Sequence, residues 1–188
     1  NNPETGETHK VLPGESVFFQ KDTWHHAFNY SDEYLQVLEF FSPPPITGTS
    51  GAYAKEKKLL TNLKYKRDNF LFPSEQFKNE NSFKILRKNE YIWSLEGANQ
   101  ETLIATLVKT KNLDVKIINL KSLQESNVFN FKKNTSYLSL NDNLEVIIDN
   151  DKQFLLSKKD GMYLPKNCSF KIKNLNNYDA NIIFCIGI

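Results

Sequence analysis

Short apolar runs separated by polar turn clusters dominate the chain. SVFF, YLQVLEFF, TLIATLVKT, LDVKIINL, YLSL, LEVIID, FLLS and NIIFCIGI are rich in β-branched and aromatic residues, and NPETGE, NYSDE, NDN and DNDK fall between such runs. Within several runs apolar and polar residues alternate: Leu113, Val115 and Ile117 are interleaved with Asp114 and Lys116. That period of two is the signature of a strand with one face in a core. Many short strands with frequent turn signals predict an all-β sandwich or barrel. One stretch departs from the pattern. FSPPPITGTSGAY carries successive prolines, which fix φ and cannot donate to a sheet ladder. AYAKEKKLL follows it and is the one good helix candidate, a short one. Residues 43–70 therefore read as a linker with a short helix, between β units at 1–42 and 71–188.

The two units resemble each other. Displaced by 145 positions, KDGMYLPKNCSFKIKN falls on GESVFFQKDTWHHAFN. Asp160 then meets Glu15, Tyr163 meets Phe18, Leu164 meets Phe19, Lys166 meets Lys21 and Asn174 meets Asn29. The following strands, DANIIFCI and YLQVLEFF, also coincide. Such self-similarity means one supersecondary unit used twice.

The N-terminal copy resembles a motif of a known family. Gly14, Gln20, Asp22, His25 and Asn29 have the spacing of the second conserved motif of the cupin superfamily: Gly, five residues, Pro, one, Gly, two, His, three, Asn. Gln20 and Asp22 stand where that motif has Pro and Gly. In the C-terminal copy Pro165 and Asn174 match, whereas Lys159, Asn167 and Phe170 replace the two glycines and the metal-binding histidine. Placing YLSLNDNLEVIID on the hairpin of the first cupin motif sets Phe129 and Phe131 at its two histidines, Thr135 at its glutamate and Asp142 at its last glycine. The resemblance thus implies a cupin-type jelly-roll pair, in which the second unit is degenerate at all four ligand positions: Phe129, Phe131, Thr135 and Phe170. It also implies that the first unit is partial, its own first motif lying upstream of NNPETGE. The partners of His25 are then expected on an N-terminal segment or on another copy of the chain.

Under that resemblance His25 is the metal-ligand candidate. A neutral imidazole on a strand suits Fe, Mn, Ni, Zn or Cu, as a ligand in the N-terminal unit of the intact protein only. Trp24, Asn29 and Tyr53 are candidates for the mouth of a small-molecule pocket. Packing competes for Trp24, turn geometry for Asn29 and anchoring of the linker for Tyr53. Strand alternation puts His25, Ala27 and Asn29 on one face, and Trp24, His26 and Phe28 on the other. His9 reads as solvated. Phe129, Phe131 and Phe170 read as core, or as the lining of an apolar pocket.

Composition narrows the picture further. Net charge is +2, from 24 basic and 22 acidic residues, which gives no reason to expect nucleic acid or an anionic membrane as partner. The longest apolar run, IIFCIGI, is too short to span a bilayer. Cys168 and Cys185 have no metal spacing and form no disulfide framework, so a reducing, cytoplasmic setting is expected. No nucleophile elbow or phosphate loop occurs. Two functions remain open: a metal-dependent enzyme acting on a small polar or sugar-like molecule through the first unit, and a non-catalytic binding or scaffold protein without metal.

Overall fold

A computed structural model describes residues 1–2, 6–20, 23–41 and 83–187. The chain divides into two units, Asn1–Asn89 and Glu90–Ile188. The first unit contains β1 (Ser16–Phe19) and β2 (Phe83–Leu86), paired antiparallel from Ser16 opposite Leu86 to Phe19 opposite Phe83. The second holds β3 (Trp93–Glu96), β4 (Thr102–Lys109), β5 (Asp114–Leu120), β6 (Phe129–Asn130), β7 (Thr135–Ser139), β8 (Leu144–Ile148), β9 (Lys152–Leu156), β10 (Gly161–Leu164), β11 (Ser169–Asn174) and β12 (Ala180–Ile186).

These strands form two sheets. One has the order β10-β7-β12-β5-β4-β3 and the other β6-β11-β8-β9. From β5 to β12 the chain visits the sheets in the order first, second, first, second, second, first, second, first. The eight strands make the four-by-four arrangement of a jelly roll, with β3 and β4 as an extension of one sheet. The alternation read from the sequence is what closes it. Buried and half-buried residues alternate strictly along β11 and β12, so each strand presents one apolar row to the opposite sheet. Ile118, Leu120, Leu144, Val146, Ile172, Ile182 and Phe184 from both sheets are almost fully buried in the resulting core. Asn143, Asp149 and Asn150 take the positive φ that the connecting turns require, a conformation asparagine and aspartate tolerate better than most residues.

Two expectations need adjustment. The second unit begins at Glu90 rather than at residue 71, because Phe83–Leu86 pairs with β1 and belongs to the first unit. YLQVLEFF has strand periodicity, but residues 23–41 form no strand, and Leu35, Val37, Leu38 and Phe41 are exposed. Alternation specifies a face for burial, while a strand also requires a neighbour for its main-chain groups; among the described residues, positions 34–41 have none. The linker helix and Tyr53 lie outside the described residues, among which there is no α-helix.

Candidate functional site

The two units share local geometry at the offset read from the sequence. β1 at Ser16–Phe19 and β10 at Gly161–Leu164 are the same stretch displaced by 145 residues. The turn entering each is built alike. Glu15 N–H donates to Leu12 O at 3.1 Å, and Asp160 N–H to Ser157 O at 3.0 Å. The acidic side chain of each turn accepts from the first main-chain N–H: Leu12 N to Glu15 Oε2 at 2.8 Å, Ser157 N to Asp160 Oδ2 at 2.8 Å. The residue between them is left-handed in both, Gly14 at φ 84° and Lys159 at φ 77°. After the strand, Thr23 N–H donates to Gln20 O and Cys168 N–H to Pro165 O, each at 3.3 Å.

The asparagine loop repeats too. Asn29 donates from Nδ2 to Glu33 O at 2.7 Å and accepts at Oδ1 from Ser31 N at 3.1 Å. Asn174 donates from Nδ2 to Tyr178 O at 2.7 Å and accepts at Oδ1 from Asn176 N at 3.0 Å. Asn1 and His26 exchange both main-chain bonds, at 2.8 and 3.1 Å, in the same sense as β8 pairs with β11 around Lys171 and Ile147. His25 is therefore the counterpart of Phe170, and the asparagine that ends the motif is a turn builder in both units. Both ends of the Asn29 amide are taken within residues 29–33.

In the second unit Phe129, Phe131 and Phe170 converge. Phe129 on β6 is directly opposite Phe170 on β11. Their rings lie 5.4 Å apart, and Phe131 is 5.7 Å from Phe129 and 5.9 Å from Phe170. Phe184 on β12 packs edge-on against all three at 5.4–6.0 Å, and Tyr137 stacks on Phe170 at 6.2 Å. Thr135 is buried on β7, two residues before Tyr137, with its hydroxyl donated to Lys133 O at 3.3 Å. Five aromatic rings thus occupy the space between the sheets. A shallow cavity of about 180 Å³, lined by Lys109, Lys111, Asp114, Lys133 and Ile186 among others, includes none of those rings. The two thiols are free, and burial pushes Cys168 and Cys185 up from the ordinary thiol value, which disfavours thiolate chemistry. Burial also raises the Tyr137 phenol.

In the first unit His25 and Trp24 are neighbours in sequence on an exposed to half-exposed segment. The His25 ring stacks on Phe19, 4.1 Å between centroids and 13° from parallel, and its Nδ1 lies 3.0 Å from Thr23 O. The His26 ring meets Phe28 edge-on at 5.8 Å. His9 departs from the solvated reading: its Nε2 lies 2.7 Å from Glu7 Oε1, and Glu7 is fully buried. The THK alternation concealed this, because nothing in the sequence marks Glu7 as inward-facing. The Asn174–Asn176 network was only half visible. Asn174 Nδ2 also reaches Leu120 O and Lys121 O, and Asn176 Nδ2 donates to Asp142 O, tying three connections together.

No protein-family model matches the chain, and no curated protein matches it in sequence. Solved structures do resemble it. The cupin domain of Cnp3 from Schizosaccharomyces pombe is 19% identical over 46% of this chain and 64% of its own, under two thirds of its length, with a TM-score of 0.43. An RmlC-like cupin from Shewanella frigidimarina is 12% identical over 54% of this chain and 87% of its own, at 0.47. AerE from Microcystis aeruginosa is 17% identical over 58% and 48%, at 0.47. Each score is below 0.5, and the strand order of the second unit is what assigns the architecture. It is a jelly roll. The interior of the second unit is filled by aromatic side chains. No helix among the described residues is long and apolar enough to cross a membrane.

Proposed function

We propose that this chain is a cupin-type small-molecule-binding protein whose ligand site belongs to the first unit, the second unit serving as a packed scaffold. The observation that supports this is the contrast at matched positions. Where the second unit buries Phe170 and Ile172, the first has His25 and Ala27. Replacing Phe and Ile by His and Ala removes apolar volume and adds a ring that donates, accepts or binds metal. Trp24, on the opposite face of the segment, and Tyr53 are the aromatic candidates at the mouth.

The enzymatic form of this reading is a metal-dependent reaction on a small polar or sugar-like molecule. A bound Fe, Mn, Ni, Zn or Cu ion would supply Lewis acidity or oxygen activation. The described residues alone do not fit such an ion: no group of three or more His, Cys, Asp or Glu among them could hold one. With Nδ1 against Thr23 O, His25 offers Nε2 as a single ligand atom, short of the three protein ligands that catalytic zinc sites typically use. The remaining ligands would come from outside the described residues, or from a second copy of the chain. The exposed, single imidazole favours the other reading equally, a binding cupin without metal. In neither reading is nucleic acid or a membrane a partner, and the cytoplasm is the proposed setting.

Metal analysis of the native full-length protein separates the two readings. A stoichiometric transition metal that is lost in His25→Ala and retained in His26→Ala supports the enzyme. Absence of metal after purification without chelator and reconstitution with each of the five ions supports the binding protein.

A further inference from the structure

Past His25, the repeat reaches a residue to which neither the motif nor the family resemblance gives a role. β12 at Ala180–Ile186 corresponds to Leu35–Phe41. The buried row of β12 is Ala180, Ile182, Phe184 and Ile186, and its counterparts are Leu35, Val37, Glu39 and Phe41. Three of these four are apolar, as an inward row requires. The fourth puts a carboxylate where the second unit has Phe184, a side chain with no exposed surface at the centre of the aromatic cluster. The Phe184 ring is 5.7 Å from that of Phe170, and Phe170 is the counterpart of His25. Between Val11 and Phe41, the counterparts of the second unit's core are Val11, Val17, Phe19, Thr23, His25, Ala27, Leu35, Val37 and Glu39. His25 and Glu39 are the only titratable pair among them, and their counterparts Phe170 and Phe184 stand on opposite sheets.

We infer that Glu39 is a second polar residue of the first unit's ligand site, facing His25 across its interior. This rests on the reading of that unit as the site. A lone glutamate on an inward strand position carries a large desolvation penalty unless it has a partner. An imidazole on the opposite sheet supplies a hydrogen-bond donor, and an ionised carboxylate can only accept. Together with Ala27 in place of Ile172, the pair turns an aromatic plug into a polar chamber. In the structure Glu39 and His25 are both exposed, so the inference concerns the first unit with its sheets closed as those of the second are.

A double-mutant cycle in the native full-length protein tests it. His25→Phe and Glu39→Phe recreate the Phe170–Phe184 pair of the second unit. If the positions face each other, the double variant unfolds at a higher urea concentration than the sum of the single shifts predicts, since contacting residues couple and distant ones add. A control cycle with Glu33→Phe, whose counterpart Tyr178 is half exposed, remains additive. Diethyl pyrocarbonate modification of His25 in the wild-type protein runs alongside. Protection of His25 with coupling between 25 and 39 supports the inference. Protection of His25 with additivity overturns it and leaves the site reading standing. Modification of His25 at the rate of the urea-unfolded chain overturns both.

Discussion

Asn174 carries more structure than any other single side chain in the second unit. Its amide reaches Leu120 O, Lys121 O and Tyr178 O, and its carbonyl accepts from Asn176 N and Nδ2, all with no exposed surface. Truncation would leave several buried main-chain groups without partners, each at about 1–3 kcal/mol. Asn174→Ala is expected to lower the stability of the second unit by about 3 kcal/mol, read by urea unfolding. Asn29→Ala removes the matching bonds from an exposed loop, where water replaces them, and a loss of less than about 1 kcal/mol is expected. Equal losses would show that the two asparagines are not doing the same work in different surroundings. Phe170 makes a similar point for packing: Phe170→Ala opens a cavity among four rings and should cost about 3–5 kcal/mol.

At the scale of the element, the turn before β1 and β10 is one structure built from two sequences. Gly14 and Lys159 occupy the same left-handed position, which penalises a side chain by about 1–2 kcal/mol. A Cβ on Gly14 would meet Lys88 Cδ at 3.5 Å, an ordinary contact, so the cost of Gly14→Ala is conformational, about 1 kcal/mol of destabilisation. Lys159→Gly is expected to act in the opposite direction, stabilising by about 0.5–1 kcal/mol. Thermal melts of the two variants decide it; shifts of the same sign would contradict a shared turn. The acidic residue of this turn also has a pH signature. The hydrogen bond from Leu12 N–H, assisted by Arg87 at 2.6 Å, holds the Glu15 carboxyl below the usual range. A depressed folded-state pKa means that this stabilisation is fully present above the unfolded-state value and is lost as pH falls through the folded-state value. Glu15→Gln should therefore flatten the acid limb of stability against pH and leave stability independent of this group at low pH. An unchanged acid limb would show that the carboxylate is idle.

The elements explain how much could be read from the chain beforehand. Alternation marked β5, β7, β8 and β12 because each has a buried face, and the repeat was visible because turn residues and strand lengths survive when core residues change. YLQVLEFF was over-read for the same reason: its pattern records a face meant for burial, and the pairing that makes a strand is not local information. Phe83–Leu86 was misplaced because a sheet partner 64 to 70 positions away, from Phe19 opposite Phe83 to Ser16 opposite Leu86, leaves no mark in its own residues. Glu7 escaped notice because burial of a charge depends on neighbours that the sequence does not bring together, such as His9 and the half-buried chain around it.

For the molecule as a whole, the proposal is that the first unit follows the pattern of the second with an opposite interior. The second is plugged by Phe129, Phe131, Tyr137, Phe170 and Phe184, rings worth roughly 1.5–3 kcal/mol each on burial; in the proposed first unit two of those positions are held by His25 and Glu39. The most direct test is a crystal structure of the native full-length protein. The account predicts the His25 imidazole inside the first unit, with Ala27 on the same face and His26 outside. The His26 imidazole inside and His25 outside would contradict it, because a slip of one residue turns every side chain of a strand to the other face and would undo the correspondence between His25 and Phe170.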